Sequence, residues 1–311
     1  MVAQTTPRLR SPRTTRARLR NLIRPPVGYG RFFRDLWREI NEDNISSGAA
    51  SLAYFLMLAI FPAAIFLLSL LPYLPIPNLE EAIMDLLRQV MPAQAAGLFT
   101  TTVENVVSER RGGLLSLGFL FTLWAASNGM AAVMEQLNVT YDVKDERSFF
   151  KRRGLALLLV VLFGALVVGA FGLIVFGGVL QEQLARVIGW SPALLAFFAG
   201  FRWAVILGMI TLGFSTIYYF GPDVEQKFRF ITPGSVLGTV ILVAAALGFR
   251  FYVERFGSYE ATYGSLGAVI ILLLWLYVAG LVLLLGSEVN ALLEHYAEDG
   301  KSKGEKTAHA T

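Results

Sequence analysis

Long uncharged runs separated by short polar segments recur along the whole chain. The clearest is the last, Tyr263 to Glu294, in which Leu266 to Leu285 is twenty residues with no charge and no proline. An α-helix needs about 20 apolar residues to cross a hydrocarbon core of roughly 30 Å. Five earlier runs have a comparable length: about Ser46–Leu71, Leu114–Met134, Leu155–Val179, Pro192–Phe220 and Pro233–Val253, with the sixth at Ser265–Leu293. The pattern predicts an all-α membrane protein, a bundle of six transmembrane helices. It divides the chain into a basic tail and lead-in over 1–43, a transmembrane domain over 44–295 and a polar C-terminal tail over 296–311. Between the first two spans, residues 72–113 form a longer segment. Leu79, Ile83, Leu86, Leu87 and Val90 recur there at helical spacing, and Asn78 with Glu80 and Glu81 makes an N-terminal cap signal. An amphipathic helical segment on the outer face is expected.

Composition agrees with a lipid environment. Hydrophobic residues make up 55% and charged residues 16%, with mean hydropathy +0.56, against about a quarter charged in a soluble domain. There is no cysteine, which excludes disulfides, thiolate metal sites and cysteine nucleophiles. The only histidines are His295 and His309, too few for a multi-histidine metal site or a histidine-based triad. No Walker loop, HExxH or GxSxG motif is present. The sequence therefore assigns no catalytic residue, no metal ligand and no cofactor.

Basic residues set the orientation. The tail, the segments near 135–154 and 221–232 and the C-terminus hold ten, five, two and three Lys/Arg, twenty of the twenty-seven. The positive-inside rule then places both termini in the cytoplasm. The Arg-rich start has no apolar core of a cleavable signal. It reads as a cytoplasmic tail that fixes topology and meets anionic lipid; an organelle transit peptide is the alternative. The tail lacks interleaved aromatics before Tyr29, Phe32 and Phe33, so membrane lipids are the expected contact and no specific nucleic acid is.

Polar groups inside lipid are costly, at about 2.5–3.5 kcal/mol for a charge at a helix centre, and each needs an account. Arg202 lies ten residues, roughly 15 Å, into the fourth span; it either snorkels or binds an anionic group. Arg250 and Glu254 are four apart near the end of the fifth span, as an interfacial ion pair or a gate. Asn128, in Ser127-Asn128-Gly129, interrupts the second span as interhelical glue or a site residue. Glu288 and Asn290 lie near the end of the sixth span. Glu288 is about 36 Å along it from Gly264, at the inner rim, as a solvated helix end or a proton or cation site. Pro62 should kink the first span. Gly234 with Gly238, and Ala49 with Ala53, are small-residue steps suited to close helix approach.

Three segments together resemble the YihY/BrkB family of bacterial inner-membrane proteins. They are Asn44 to Tyr54 (NISSGAASLAY) running on to Phe61-Pro62; Leu123 to Asn128 (LWAASN) with Leu137 to Tyr141 (LNVTY) and its basic run; and Tyr263 to Leu266 (YGSL), Leu274 to Tyr277 (LWLY) and Gly286 to Ala291 (GSEVNA). The likeness covers about residues 30 to 295 and implies a six-helix plasma-membrane protein. Members have carried the label ribonuclease BN. That label fits this chain badly, because an RNA hydrolase needs metal-binding carboxylates or an acid–base pair, whereas Asp142, Asp145 and Glu146 are interspersed with Lys144 and Arg147. The expected role is transporter-like, binding or moving an amphiphilic or anionic substrate such as a lipid. The alternative is a structural or envelope-integrity protein in which the polar residues hold helices together.

Overall fold

The computed structural model describes residues 28–70, 112–188, 192–224, 230–256 and 265–296. They form seven α-helices: α1 Tyr29–Glu42, α2 Ile45–Leu70, α3 Gly112–Thr140, α4 Phe149–Ile188, α5 Pro192–Phe220, α6 Pro233–Phe256 and α7 Ser265–His295. Four contain stretches long and apolar enough to cross a membrane: Phe149–Ile174, Ala193–Phe220, Pro233–Val253 and Val269–His295. The other two expected spans fall in α2 and α3. Among the described residues α2 presents a shorter apolar helix, Ile45–Ile60, and the helix continues through Pro62 to Leu70. Of the expected amphipathic segment, only Gly112 and Gly113 lie among the described residues, and they open α3.

Three helices start at the residues the apolar pattern picks out, Pro192, Pro233 and Ser265. The two flanking the 141–148 connection are longer than their apolar cores. α3 runs on to Thr140, and α4 begins at Phe149, which draws Lys151, Arg152 and Arg153 into its first turns. Cations oppose the dipole at a helix start. Here α3 offsets them: Arg152 lies 3.1 Å from Glu135, and Arg153 donates to Asn128 Oδ1 at 2.6 Å.

α2 packs against α3 and α7, α4 against α3 and α5, and α6 against α5 and α7; α1 lies on α7. Small residues govern the closest crossings, as membrane bundles require. A Cβ on Gly280 of α7 would stand 3.1 Å from the Ala49 carbonyl oxygen of α2. A Cβ on Gly234 of α6 would collide with the carbonyl oxygen of Gly286 on α7. Among the described residues the largest buried apolar cluster lies at one end of the bundle. It takes Ile45, Ala49 and Leu52 from the start of α2, Met130 to Leu137 from the end of α3, Ala156 and Leu159 from the start of α4, Phe214 to Tyr218 from the end of α5 and Val282 to Leu284 from late α7. α1 covers this end, called the α1 end below. Elsewhere large apolar side chains such as Phe121, Val168, Phe197, Val240 and Phe251 face outward. Outward apolar side chains over long helical stretches suit lipid rather than water.

Candidate functional site at the α1 end

The last turns of α7 read Gly286-Ser287-Glu288-Val289-Asn290, and helical periodicity sends these residues to different neighbours. Gly286 and Asn290, four apart, face α6. Asn290 Oδ1 accepts the Gly234 N–H at 2.8 Å, and its Nδ2 donates to Thr232 Oγ1 at 3.0 Å. Thr232 caps α6: its Oγ1 accepts the Ser235 N–H at 3.1 Å while Ser235 Oγ accepts the Thr232 N–H at 3.0 Å. Pro233, at the first helical position, has no N–H to satisfy. The start of α6 thus has its orphan amides met by its own cap and by Asn290. Ser287 turns toward α3, where its hydroxyl and that of Thr140 are 2.5 Å apart. Tyr218 of α5 completes the packing by donating to the Leu283 carbonyl at 2.8 Å.

Glu288, Ala291, Leu292 and His295 form the third face. They line a cavity of about 190 Å³ whose other walls include Asp35, Arg38 and Glu39 of α1, Thr140 at the end of α3 and Asp142 just after it. Glu288 is 1% exposed, and its Oε1 has no hydrogen-bond partner among the described residues. α1 and the end of α3 cover this turn of α7. The carboxyl of Asp43, at the C-cap of α1, stands within hydrogen-bonding reach of Glu288, with Glu39 and Asp142 as further acids nearby.

Two left-handed residues aim these acids. Asn44, at φ 51°, ends α1 and turns the chain into α2, which leaves Asp43 against α7. Asp142, at φ 54°, ends α3 beside the cavity. Asn and Asp tolerate this conformation better than other non-glycine residues. α1 is fastened to α7 by Phe32 packed on Val289 and Leu292, and by Tyr296, whose hydroxyl donates to Asp35. That hydrogen bond holds the Asp35 carboxyl below the usual range against a smaller opposing effect of burial, aided by the Arg38, Arg31 and Arg34 charges.

The connections beside the site are stitched by Arg147, whose side chain is 5% exposed. Its Nε donates to Asp145 Oδ1 at 2.8 Å, and its NH2 donates to Asp145 Oδ2 at 3.2 Å and to the Gly221 carbonyl at 2.9 Å. Arg147 thus closes the C-terminal end of α5, where carbonyls lack helical partners and the dipole favours a cation. Asn138 accepts the Asp223 N–H at 2.8 Å, and Asp223 accepts the Glu146 N–H at 2.9 Å. Burial pushes the Asp145 carboxyl up, but the Arg147 hydrogen bonds and the Arg147 and Arg152 charges outweigh it and hold Asp145 below its ordinary range.

The other expected site residues lie apart from this cluster. Asn128 is bound to Arg153. Arg202 lies across Gly177 of α4, where an added Cβ would come 2.6 Å from its Cδ. Its Nε and NH1 make no hydrogen bond among the described residues. Arg250 is exposed on α6, and the side chain of Glu254 lies outside the described residues. Apolar periodicity missed Asp43, Glu39 and Asp142 because they belong to no span. The stop signal Asp43-Asn44 before Ile45 was the available hint. The Thr232–Ser235 cap was visible as Thr-Pro-Gly-Ser.

The profile of a family described as Virulence factor BrkB matches residues 36–310. YfkH of Bacillus subtilis (strain 168), which carries a ribonuclease-like name, is 36% identical over 262 residues, 84% of this chain and 94% of the relative. A UPF0761 membrane protein of Vibrio parahaemolyticus is 28% identical over 297 residues, covering 91% of this chain and 88% of the relative. One of Tolumonas auensis is 26% identical over 283 residues, 89% of each. No solved structure matches. With the family profile and a relative above 30% identity both spanning most of its length, the chain belongs to the BrkB family of membrane proteins.

Proposed function

We propose that this protein is transporter-like, with six spans, and that it binds or moves an amphiphilic or anionic substrate such as a lipid without acting as an enzyme. In this reading α2 and α3 are spans alongside α4, α5, α6 and α7. The α1 end faces the cytoplasm of a bacterial plasma (inner) membrane, with both termini on that side. The ten Lys/Arg before residue 44 and the five over 135–154 support that orientation.

The observation that carries the transport reading is the cavity at the α1 end with the buried Glu288 carboxyl in its wall. A buried acid is expensive, and a bundle held together only for strength gains nothing from it. Arg202 is the contact for an anionic group, since its Nε and NH1 find no acceptor among the described residues. The non-enzymatic reading is supported by the use made of the acids near the 141–148 connection. Asp145 is taken up by Arg147 and Arg152, and Asp223 by the Glu146 amide. The ribonuclease-like name belongs to the Bacillus subtilis relative; mutation-sensitive RNA cleavage by a contaminant-free preparation would overturn the reading here.

The test is reconstitution into liposomes carrying a labelled anionic phospholipid. Binding or movement of the lipid should weaken in Arg202→Ala at unchanged thermal stability. A variant that melts earlier yet handles lipid as the wild type does would remove this support. The structural reading has its own observation: Asn128 and Asn290 are consumed in holding helices, through Arg153 and through Gly234 and Thr232. It predicts no lipid movement by the wild type.

A further inference from the structure

We propose that Glu288 and Asp43 form a carboxyl pair holding a single proton, loaded from the cavity at the α1 end, and that this proton is the coupling ion of the protein. The proposal rests on the transporter reading for the word coupling; the pair itself does not.

The two carboxyls come from different helices, Glu288 from α7 and Asp43 from the C-cap of α1, and stand within hydrogen-bonding reach of each other. Two carboxylates in contact repel, and such a pair is held together by a shared proton or by a cation. The two arginines that line the cavity are each engaged by an acid of α1. Arg38 lies 3.0 Å from Glu39 and 3.7 Å from Glu42, and Arg31 lies 3.7 Å from Asp35. Asp142, on the connection after α3, adds another acid. On α7 itself His295 lines the same cavity, and the Tyr296 hydroxyl is engaged by Asp35. Among the described residues no three acids or imidazoles converge as ligands of one metal ion. A proton is the ligand that fits, and the cavity beside Glu288 is the route by which it arrives.

The pair has a mechanical consequence. α1 is fastened to α7 at Phe32 and at Asp35, two turns and more before Asp43. Loss of the proton leaves two negative charges facing each other at the C-terminal end of α1. They push that end away from α7 while the earlier contacts hold, so α1 hinges and the cavity opens.

The experiment is pH-difference infrared spectroscopy on the full chain in lipid nanodiscs. The expected result is one protonated-carboxyl band that disappears reversibly as pH rises and shifts in heavy water. Glu288→Gln abolishes the band. In Asp43→Asn the band persists but its midpoint falls, because the neighbouring charge is gone. A wild-type protein without the band, a band that survives Glu288→Gln, or a midpoint unmoved by Asp43→Asn overturns the pair. Removal of the band by sodium or potassium at constant pH overturns the proton as its ligand. Should Glu288→Gln fail to fold, the wild type and Asp43→Asn decide between these outcomes. The band needs no transported substrate. A protein that shows it and moves nothing overturns the transporter reading alone; one that moves lipid without the band overturns the pair alone.

Discussion

Replacing Gly234 by alanine tests whether the α6–α7 crossing holds the α1 end together. The new Cβ would lie 2.7 Å from Cγ and Oδ1 of Asn290 and would collide with the Gly286 carbonyl oxygen. Carbon contacts are comfortable at about 3.5–4.0 Å, so either the two helices separate or Asn290 leaves its place. Overpacking of this kind costs about 1–3 kcal/mol. Displacing Asn290 leaves the Gly234 N–H unpaired, at about 1–3 kcal/mol more. Alanine returns up to about 1 kcal/mol through helix propensity. The net loss is about 1–5 kcal/mol, or roughly 2–20 °C in Tm at about 2–4 °C per kcal/mol. Gly248 lies on the same helix with nothing within 4 Å of its added Cβ. Gly248→Ala should therefore melt at or above the wild-type temperature. Both variants add one methyl to α6, and thermal unfolding in detergent, or half-life at fixed temperature where unfolding is irreversible, compares them. Equal stability of the two variants would refute the crossing as the source of the effect.

Arg147→Gln should destabilise the protein by about 3 kcal/mol, the low end for breaking a buried ion pair, because Asp145 loses its bidentate partner and α5 its C-terminal donor; chemical denaturation measures the loss, and a change under about 0.5 kcal/mol, the usual range for surface substitutions, would contradict it. Asp145 also predicts an acid limb. Its folded value lies below the ordinary 3.8, so its stabilisation is complete above that value and is lost as pH falls through the folded one. Melting curves across acidic pH should show this limb in the wild type and a shallower one in Asp145→Asn. Asn128→Ala should cost about 1–2 kcal/mol by leaving the Arg153 guanidinium without its 2.6 Å acceptor, while the proposed lipid binding or movement, where the wild type shows it, is unchanged in the surviving folded protein; a selective loss of it would make Asn128 a site residue.

The spans themselves were legible wherever the end of an apolar run coincides with the end of a helix. Pro192, Pro233 and Ser265 open their helices where the pattern puts them, because proline and a small polar residue are good helix starts and nothing else competes. The pattern failed where polar residues stay helical by means of another helix. Lys151 to Arg153 read as a loop, yet they lie in α4 because Glu135 and Asn128 of α3 receive two of the charges. The site was half legible. Glu288 and Asn290 stood out as polar residues at the edge of an apolar run, and counting along the helix placed both at its rim. Counting cannot reveal that α1 folds back over that rim, since the docking depends on Phe32 meeting Val289 and Leu292 some 260 positions later. Burial of Glu288 and its meeting with Asp43 are products of that long-range contact. Asn290 looked equally functional, but its amide is spent on the start of α6.

The ties at the α1 end have an order in time. Tyr218 waits for Leu283, Thr140 for Ser287, Gly234 for Asn290 and Phe32 for Val289 and Leu292. All of these partners lie within the last turns of α7, the last of the described helices to leave the ribosome. Until that short stretch is synthesised, the Gly234 N–H at the start of α6 lacks its Asn290 acceptor, and Phe32 of α1 lacks Val289 and Leu292 to pack on. Insertion of the earlier helices can run ahead, but these four ties form only after the last turns of α7 have been made. A chain stalled before Leu283 therefore leaves the Gly234 N–H without its Asn290 acceptor and Phe32 without the apolar face it packs on.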